Sequence, residues 1–506
     1  MIRKIKTYLI VAVVSLSAIS CLDKLPNNAV LEGEAITNVD QAGQAVNGIY
    51  AAFRSSNLYS GLLTLLPEIQ SDLVYAIDGY SNRYGDFWRW DINPTNTSLS
   101  AVYGSLYAVV GRSNFVIEQI EKIEDDVNGD DFATLQAYKG EAHFARALAY
   151  SELIKLFCKD YEEATADTDL GVVIVKDYTY DGPITRSTIR ESYDFIKEEL
   201  DIAADLLAYK FDGVDVPLYS TSYFTPYVIE ALYARVALYT EDYEEALFRA
   251  SKVIDSDEYL LSNTNAYSYT TSYNNYEYMW QMDNSTEIIW RVGFLPPNSV
   301  GGALGTVFLG YSPGVGYSPD YVPSREILNL YDSSNDNRYL AFFQEIQTNT
   351  SHGLTWPLLI KYRGNASYIS NFNTYHLNMP KVFRLSEMYL IAAEACARMG
   401  DYGNAGNAIT ELRKARYTSY SSTNVTADNW EDLILEERAR ELYMEGFRLN
   451  DLKRFKKGFT RVEQSNSLSP GDKLSITADN PLFVWPIPQH ELDLPNSEIQ
   501  PNESNL

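Results

Sequence analysis

The sequence predicts a predominantly helical, all-α protein in which helix pairs are drawn from widely separated segments, with long irregular stretches and a few short strands between them. Three observations lead there. Apolar residues recur at threes and fours along much of the chain, the spacing of one helix face. Two turns, Glu241-Asp-Tyr-Glu-Glu-Ala and Gly400-Asp-Tyr-Gly-Asn-Ala, carry the signature of a tetratricopeptide bend, where a Tyr packs across the turn and an Ala lets the second helix approach. Residues 258–380 lose the helical period and become rich in Tyr, Gly and Pro. The two turns lie too far apart for a tandem solenoid, so the pairs must be gathered from scattered positions.

The chain opens with Arg3, Lys4 and Lys6, an apolar or small-residue run from Tyr8 to Leu16, and Ser17-Ala18-Ile19-Ser20-Cys21. That order predicts a signal peptide over 1–20 with Cys21 as a lipidation site, although Ala18 stands where Leu is more usual. The apolar run is short of the roughly 20 residues a membrane-spanning helix needs. Residues 21–37, with Pro26, Asn27, Asn28 and Gly33, read as a lipidated tether, and a single domain is expected over 38–506. Helices are expected from Asp40 (Ala45, Ile49, Ala52, Phe53) and through Leu62, Leu65, Leu66 and Ile69. Helicity stops between 78 and 100, where five aromatic residues mix with Gly, Asn and Pro, and resumes over 101–124 and 133–157. Further pairs are expected over 224–255, 386–416 and 430–456. Inside 258–380 the run Ile288-Ile-Trp-Arg-Val favours a strand, and a loop-rich region this long inside a compact protein is usually functional. Residues 480–506, rich in Pro and Asn, read as extended chain over the surface.

With 506 residues, 45% apolar and 22% charged, the composition is that of a packed protein. A net charge of −27 would repel a nucleic-acid backbone, so nucleic acid is excluded as a partner. Cys158 and Cys396 are too few and too widely spaced for a disulfide framework or a zinc site, and are expected to be buried free thiols. The 40 tyrosines and 7 tryptophans are the unusual feature, because an aromatic face with a polar edge suits a surface that grips a half-polar ligand.

Five segments, Gly140–Tyr150, Arg186–Ile196, Phe383–Ala395, Glu436–Phe455 and Val484–Leu492, together resemble the SusD-like (RagB) family of nutrient-binding outer-membrane lipoproteins of Bacteroidota, almost end to end. Departures are Ala439, Leu449 and Leu494-Pro-Asn. The resemblance implies a right-handed superhelical scaffold of four dispersed tetratricopeptide-like pairs. It also implies a lid-like partnership with a SusC-like TonB-dependent transporter, a glycan ligand, a lipid anchor in the outer membrane facing outward, and no catalytic activity. Glu436, Arg440, Glu441, Glu445 and Arg448 read as an ion-pair network between helices.

No catalytic constellation is legible. Gly310-Tyr-Ser-Pro-Gly spells a nucleophile elbow around Ser312, but Pro313 lacks the N–H that would complete the oxyanion hole. His143, His352, His376 and His490 have no metal-site spacing, and the acidic turn from Glu124 lacks the closing Glu of a calcium loop. No metal or cofactor is expected. Sugar rings lie on aromatic planes and their hydroxyls need directional partners. The expected binding residues are therefore Tyr84, Trp88 and Trp90 with Asn82, Arg83, Asp86 and Arg89, followed by Tyr273, Tyr276, Tyr311 and Tyr317. A peptide receptor of the same architecture and a surface glycoside hydrolase are the alternatives.

Overall fold

The computed structural model describes residues 35–506 apart from 180–181, 212–220, 268–271, 298, 350–352, 463, 465–467 and 470–474. The signal peptide, Cys21 and nearly all of the expected tether lie outside the described residues.

The helices form a continuous series in which each packs on the next. Val39–Phe53 lies against Thr97–Glu121 and Gly129–Phe157; Gly129–Phe157 in turn packs on Ile189–Phe211, then Pro226–Tyr239 and Tyr243–Ile254 follow. Leu385–Arg398 packs directly on Tyr243–Ile254 and pairs with Tyr402–Arg416, with Trp430–Glu441 beside it. The fold is the expected all-α one. Small side chains set the spacing: Ala142, Ala145, Ala149, Ala246, Ala250 and Ala405 are all fully buried. At Gly140 a Cβ would meet Leu206 Cβ at 3.0 Å and the Ala203 carbonyl at 3.2 Å, so only glycine admits the neighbouring helix. That neighbour, Ile189–Phe211, is an element the sequence reading did not single out as a helix, although Ile189, Ile196, Leu200, Ala203 and Leu207 on its buried face keep helical spacing.

At both tetratricopeptide-like bends the Asp is the N-cap of the second helix. Asp242 accepts from the Glu245 N–H at 3.3 Å and Asp401 from the Asn404 N–H at 3.1 Å. The preceding residue turns the chain through the left-handed region, Gly400 at φ 82° and Glu241 at φ 59°.

Because Leu385–Arg398 packs on Tyr243–Ile254, residues 258–380 are an insert between adjacent scaffold helices. The insert is fastened by an antiparallel ladder, with Ile288–Arg291, the expected strand within it, paired to Lys381–Arg384 just after it. Buried charges lock this neck. Arg384 reaches Glu287 at 2.7 Å, Glu441 at 2.9 Å and Glu445 at 2.8 Å. Arg416 also holds Glu287 (2.7 Å) and Glu441 (2.9 Å), and Arg338 holds Asp336 (2.7 Å), Glu437 (2.8 Å) and Glu441 (3.0 Å). The guanidinium groups hold the Glu437 and Glu441 carboxyls far below the carboxylate range despite their burial. The network read from Glu436 to Arg448 is thus real. Arg440 pairs with Glu437 and, more loosely, with exposed Glu436, while Arg448 reaches Asp72 at 2.7 Å.

A second fastening is a three-stranded antiparallel sheet with Val74–Ile77 in the centre, flanked by Tyr321–Pro323 of the insert and Leu468–Ser469. Cys158 and Cys396 are buried free thiols. His143 is buried against Glu199 at 2.9 Å, and Glu124 is held by Gln136 and Lys139. No described helix is long and apolar enough to cross a membrane.

Candidate functional site

The loop that follows Val74–Ile77 is fixed at its start by the insert. The Ile77 N–H donates to the Asp320 carbonyl at 3.0 Å and the Ser81 N–H to the Asp320 carboxylate at 3.0 Å. The Tyr321 hydroxyl then donates to the Arg83 carbonyl at 2.7 Å, and the Tyr80 and Tyr321 rings meet at 5.6 Å. One short helix, Gly85–Trp88, follows. Asn82, Tyr84 and Trp90 all occupy the left-handed region, at φ 61°, 60° and 54°. Bulky residues adopt it only when surrounding contacts enforce it, at roughly 1–3 kcal/mol each, and such positions concentrate at binding sites.

Those contacts overturn the leading expectation. Trp88 and Trp90 are fully buried and cannot serve as ligand platforms. Trp88 lies under the Arg461 guanidinium, 3.6 Å from its ring, and between Tyr75 and Tyr321. Arg461 also donates to the carbonyls of Trp88 (2.6 Å), Gln70 (3.1 Å) and Ser71 (2.8 Å). Burial lowers its pKa to about 9, which leaves it charged at neutral pH. Trp90 donates its Nε1–H to the Gln70 carbonyl at 2.7 Å and packs on Phe483 and Phe459. The two indoles anchor the loop from beneath, through residues of the C-terminal segment that no local pattern reveals.

Above them a polar rim stays accessible. Arg89 Nη1 donates to the Tyr80 hydroxyl (2.7 Å) and to Asn82 Oδ1 (2.6 Å), and Nη2 reaches Asp86 Oδ1 at 3.4 Å. Asn96 donates to the other oxygen of Asp86 at 2.9 Å. At Gly85 a Cβ would stand 2.1 Å from Asn82 Oδ1 and 2.5 Å from Arg89 Nη1, so the network closes only over glycine. Asn82 and Arg83 are exposed, Tyr84 and Asp86 half-buried, and the Arg83 guanidinium lies 5.9 Å from the Tyr84 ring. Burial, opposed by Arg83, raises the Tyr84 hydroxyl above its ordinary pKa, so it stays protonated and able to donate.

The second expected group is divided. Tyr311 and Tyr317 face each other across a tight hairpin, Tyr311–Ser312 with Gly316–Tyr317, their rings 4.8 Å apart, and the Tyr375 ring meets Tyr311 edge-on at 5.0 Å. All three rings are partly exposed. Buried His376 supports them, its Nε2 accepting the Tyr311 N–H at 3.1 Å, and burial lowers its pKa so that it is neutral. The hairpin runs through Ser318 and Pro319 into Asp320 and Tyr321, the residues that hold the 78–93 loop. The structure thereby brings the 82–86 rim and the 311–317 hairpin to one end of the sheet.

Tyr276 is not there. It is fully buried in the insert against Trp280 and Phe342, with Arg416 4.3 Å above its ring, and is no binding residue. Tyr273 is half-buried two residues before the helix Asn275–Gln281. Sequence reasoning missed Tyr80, Asp320 and Tyr375. Tyr80 stands within the flagged loop, whereas the only signal for Tyr375 is its Asn-rich surroundings.

Comparison with known proteins agrees along the whole chain. A family model described as "SusD family" matches residues 233–503, and one described as "Starch-binding associating with outer membrane" matches residues 80–238. SusD-like protein P2 of Formosa agariphila is 24% identical, with 99% of each chain covered. The starch-binding protein SusD of Bacteroides thetaiotaomicron is 25% identical over 73% of this chain and 74% of its own. A crystal structure of a SusD superfamily protein from Bacteroides thetaiotaomicron superposes with a TM-score of 0.78 at 24% identity, covering 92% of this chain and all of the other.

Proposed function

This chain belongs to the SusD family, and from that premise we propose that it is a lipid-anchored surface receptor that captures a nutrient glycan without cleaving it and passes it to a TonB-dependent transporter in the outer membrane. A relative named for starch binding, and a family description that couples starch binding to the outer membrane, support the ligand class and the location. The observation that carries the reading is that the 80–89 loop and the 311–317 hairpin leave the same end of the sheet and are tied there at Asp320 and Tyr321. Partly exposed Tyr84, with the polar groups of Asn82, Arg83 and Asp86, stands on the loop, and partly exposed Tyr311, Tyr317 and Tyr375 stand at the hairpin, the two segments being joined through Asp320 and Tyr321. Aromatic faces suit the C–H faces of sugars, and fixed polar groups suit hydroxyls. Binding without catalysis is favoured because the nearby carboxylates are already engaged, Asp86 with Arg89 and Asn96, Asp320 with the Ser81 N–H.

Calorimetry with a panel of polysaccharides and peptides tests this. A glycan is expected to bind, and Tyr84→Ala combined with Tyr311→Ala and Tyr317→Ala is expected to remove binding with helical circular dichroism unchanged. A peptide bound in place of every glycan would turn the reading to a peptide receptor. New reducing ends on long incubation with the bound glycan would turn it to a hydrolase. For the anchor, Cys21→Ala is expected to move the protein from the membrane to the soluble fraction.

A further inference from the structure

At the base of the insert, on a different part of the molecule, an open cleft of about 570 Å³ lies between the paired segments 260–267 and 284–286 and the helix Asn275–Gln281. Its size falls within the roughly 300–1,000 Å³ typical of small-ligand sites. What sets it apart is its chemistry. In a chain where 22% of residues are charged, none of the described residues lining this cleft is. Among the described residues the walls are Leu, Ala, Ser, Thr, Asn and Tyr. Two other open clefts of comparable size differ sharply: one is lined by Lys176, Asp177, Arg186, Glu191, Asp194 and Glu198 among others, the other by Lys159, Asp160, Glu162, Asp169, Lys453 and Lys456 among others.

The cleft is built, not incidental. Leu260 and Thr286 exchange hydrogen bonds, the Leu260 N–H donating to the Thr286 carbonyl and the Thr286 hydroxyl to the Leu260 carbonyl, both at 3.2 Å. Ser262 and Ser285 share one at 2.5 Å, and the Ser262 N–H donates to buried Glu287, which joins this wall to the charged neck. The opposite wall is fixed by a capping box between Asn274 and Glu277 and by the Asn275 N–H donating to the Ala266 carbonyl at 2.7 Å. Into the cleft this frame presents Tyr267, 66% exposed, and Leu260, 59% exposed. Neither Tyr267 nor Tyr278 stacks on another described ring, and the carboxamides of Asn275 and Asn284 have no hydrogen-bond partner among the described residues.

We infer that this cleft is a second glycan site, selective for a neutral oligosaccharide. Unstacked tyrosine faces offer planes for sugar rings, and unengaged carboxamides offer both donors and acceptors to hydroxyls. The absence of a cation leaves a uronic or sulfated sugar without a counter-charge on a chain of net charge −27. Two sites on one receptor would hold a polymer at two points, raising its apparent affinity well above that of a short fragment. The inference rests on the reading of the chain as a glycan receptor but not on the loop–hairpin surface being the other site.

The test is calorimetry on the full-length chain in detergent with maltohexaose, cellohexaose, xylohexaose, laminarihexaose and mannohexaose, and with hexagalacturonic acid as the acidic probe. At least one neutral probe is expected to show two binding components. Tyr267→Ala with Tyr278→Ala should remove one of them, and the milder Asn275→Ala with Asn284→Ala should weaken that same component by at least about tenfold. Tyr84→Ala with Tyr317→Ala should remove the other, and hexagalacturonic acid should show no cleft component. If both cleft variants bind every probe as the parent does while the hairpin variant loses binding, the cleft proposal falls and the surface reading stands. If the hairpin variant is silent and the cleft variants lose binding, the surface reading falls and the cleft stands. Failure of every neutral probe to bind the parent protein overturns both, and an acidic probe that occupies the cleft overturns its neutral selectivity.

Discussion

In the segment Glu436–Phe455 the conspicuous residues are charged, and in the loop 78–93 they are aromatic; in both, the conspicuous residues are largely the ones the protein buries. The reasons differ. Glu437 and Glu441 lie on a helix, and their partners Arg338, Arg384 and Arg416 arrive from other elements. Trp88 and Trp90 lie in irregular chain, and their burial is imposed by Arg461, Phe459 and Phe483 from the C-terminal segment. In a regular element the spacing already tells which face turns inward. In a loop nothing local does, and residue type alone does not report exposure.

The comparison is broken most severely on the charged side. Glu441 faces three guanidinium groups with none of its surface exposed, so Glu441→Gln removes a charge that three arginines share, leaving Arg338 to Asp336 and Glu437, Arg384 to Glu287 and Glu445, and Arg416 to Glu287. A loss of about 3–5 kcal/mol is expected, the range that breaking a buried pair spans. Denaturant unfolding measures it. Retention of parental stability would mean that the cluster is hydrated in solution.

Trp90→Ala tests the aromatic side. Removing a fully buried indole with a hydrogen bond to the Gln70 carbonyl is expected to cost about 3–4 kcal/mol, an effect on stability in place of a specific effect on binding. If this variant keeps its stability yet loses glycan, Trp90 is a ligand platform after all. Here lies the boundary of what the sequence conveys. The helical class, both tetratricopeptide bends, the Ile288 strand and the ion-pair segment were legible because periodicity, caps and charge spacing are local. The 78–93 loop was legible as special, but the division within it was not, since Arg461 and Trp88 meet only through the fold. Tyr311 and Tyr317 share a hairpin that Gly314 and Gly316 permit, both at positive φ, whereas Tyr276 sits on a short helix facing Phe342.

A pH scan sharpens the charged side by a smaller amount. Glu68 is buried like its neighbours but meets backbone in place of a guanidinium, accepting from the N–H groups of Gly446 (2.8 Å) and Phe447 (2.9 Å). Desolvation outweighs those bonds and raises its pKa from 4.5 to about 7. The folded state therefore holds the proton more tightly than the unfolded one. Stability from this group is complete below pH 4.5 and is lost as the pH rises through about 7, by at most about 3 kcal/mol. Glu68→Gln should flatten stability across that window, and an unchanged slope would place the titration elsewhere.

The smallest expected change in stability belongs to the residue with the largest expected effect on ligand. Tyr317 is partly exposed, its ring stacked on Tyr311 at 4.8 Å and its hydroxyl engaged by no described residue. Tyr317 only edges the main core, so Tyr317→Ala should cost about 1 kcal/mol of stability, less than the variants above. A sugar that stacks on this ring would lose about tenfold or more in affinity, close to 1.4 kcal/mol. Tyr317→Phe keeps the face and should keep most of the binding, which separates stacking from hydrogen bonding. The opposite pattern, with Tyr317→Phe as damaging as Tyr317→Ala, would show that the hydroxyl and not the ring meets the ligand. The Tyr317 hydroxyl would then belong with the polar groups of Asn82 and Asp86, and the aromatic contribution would rest on Tyr84, Tyr311 and Tyr375.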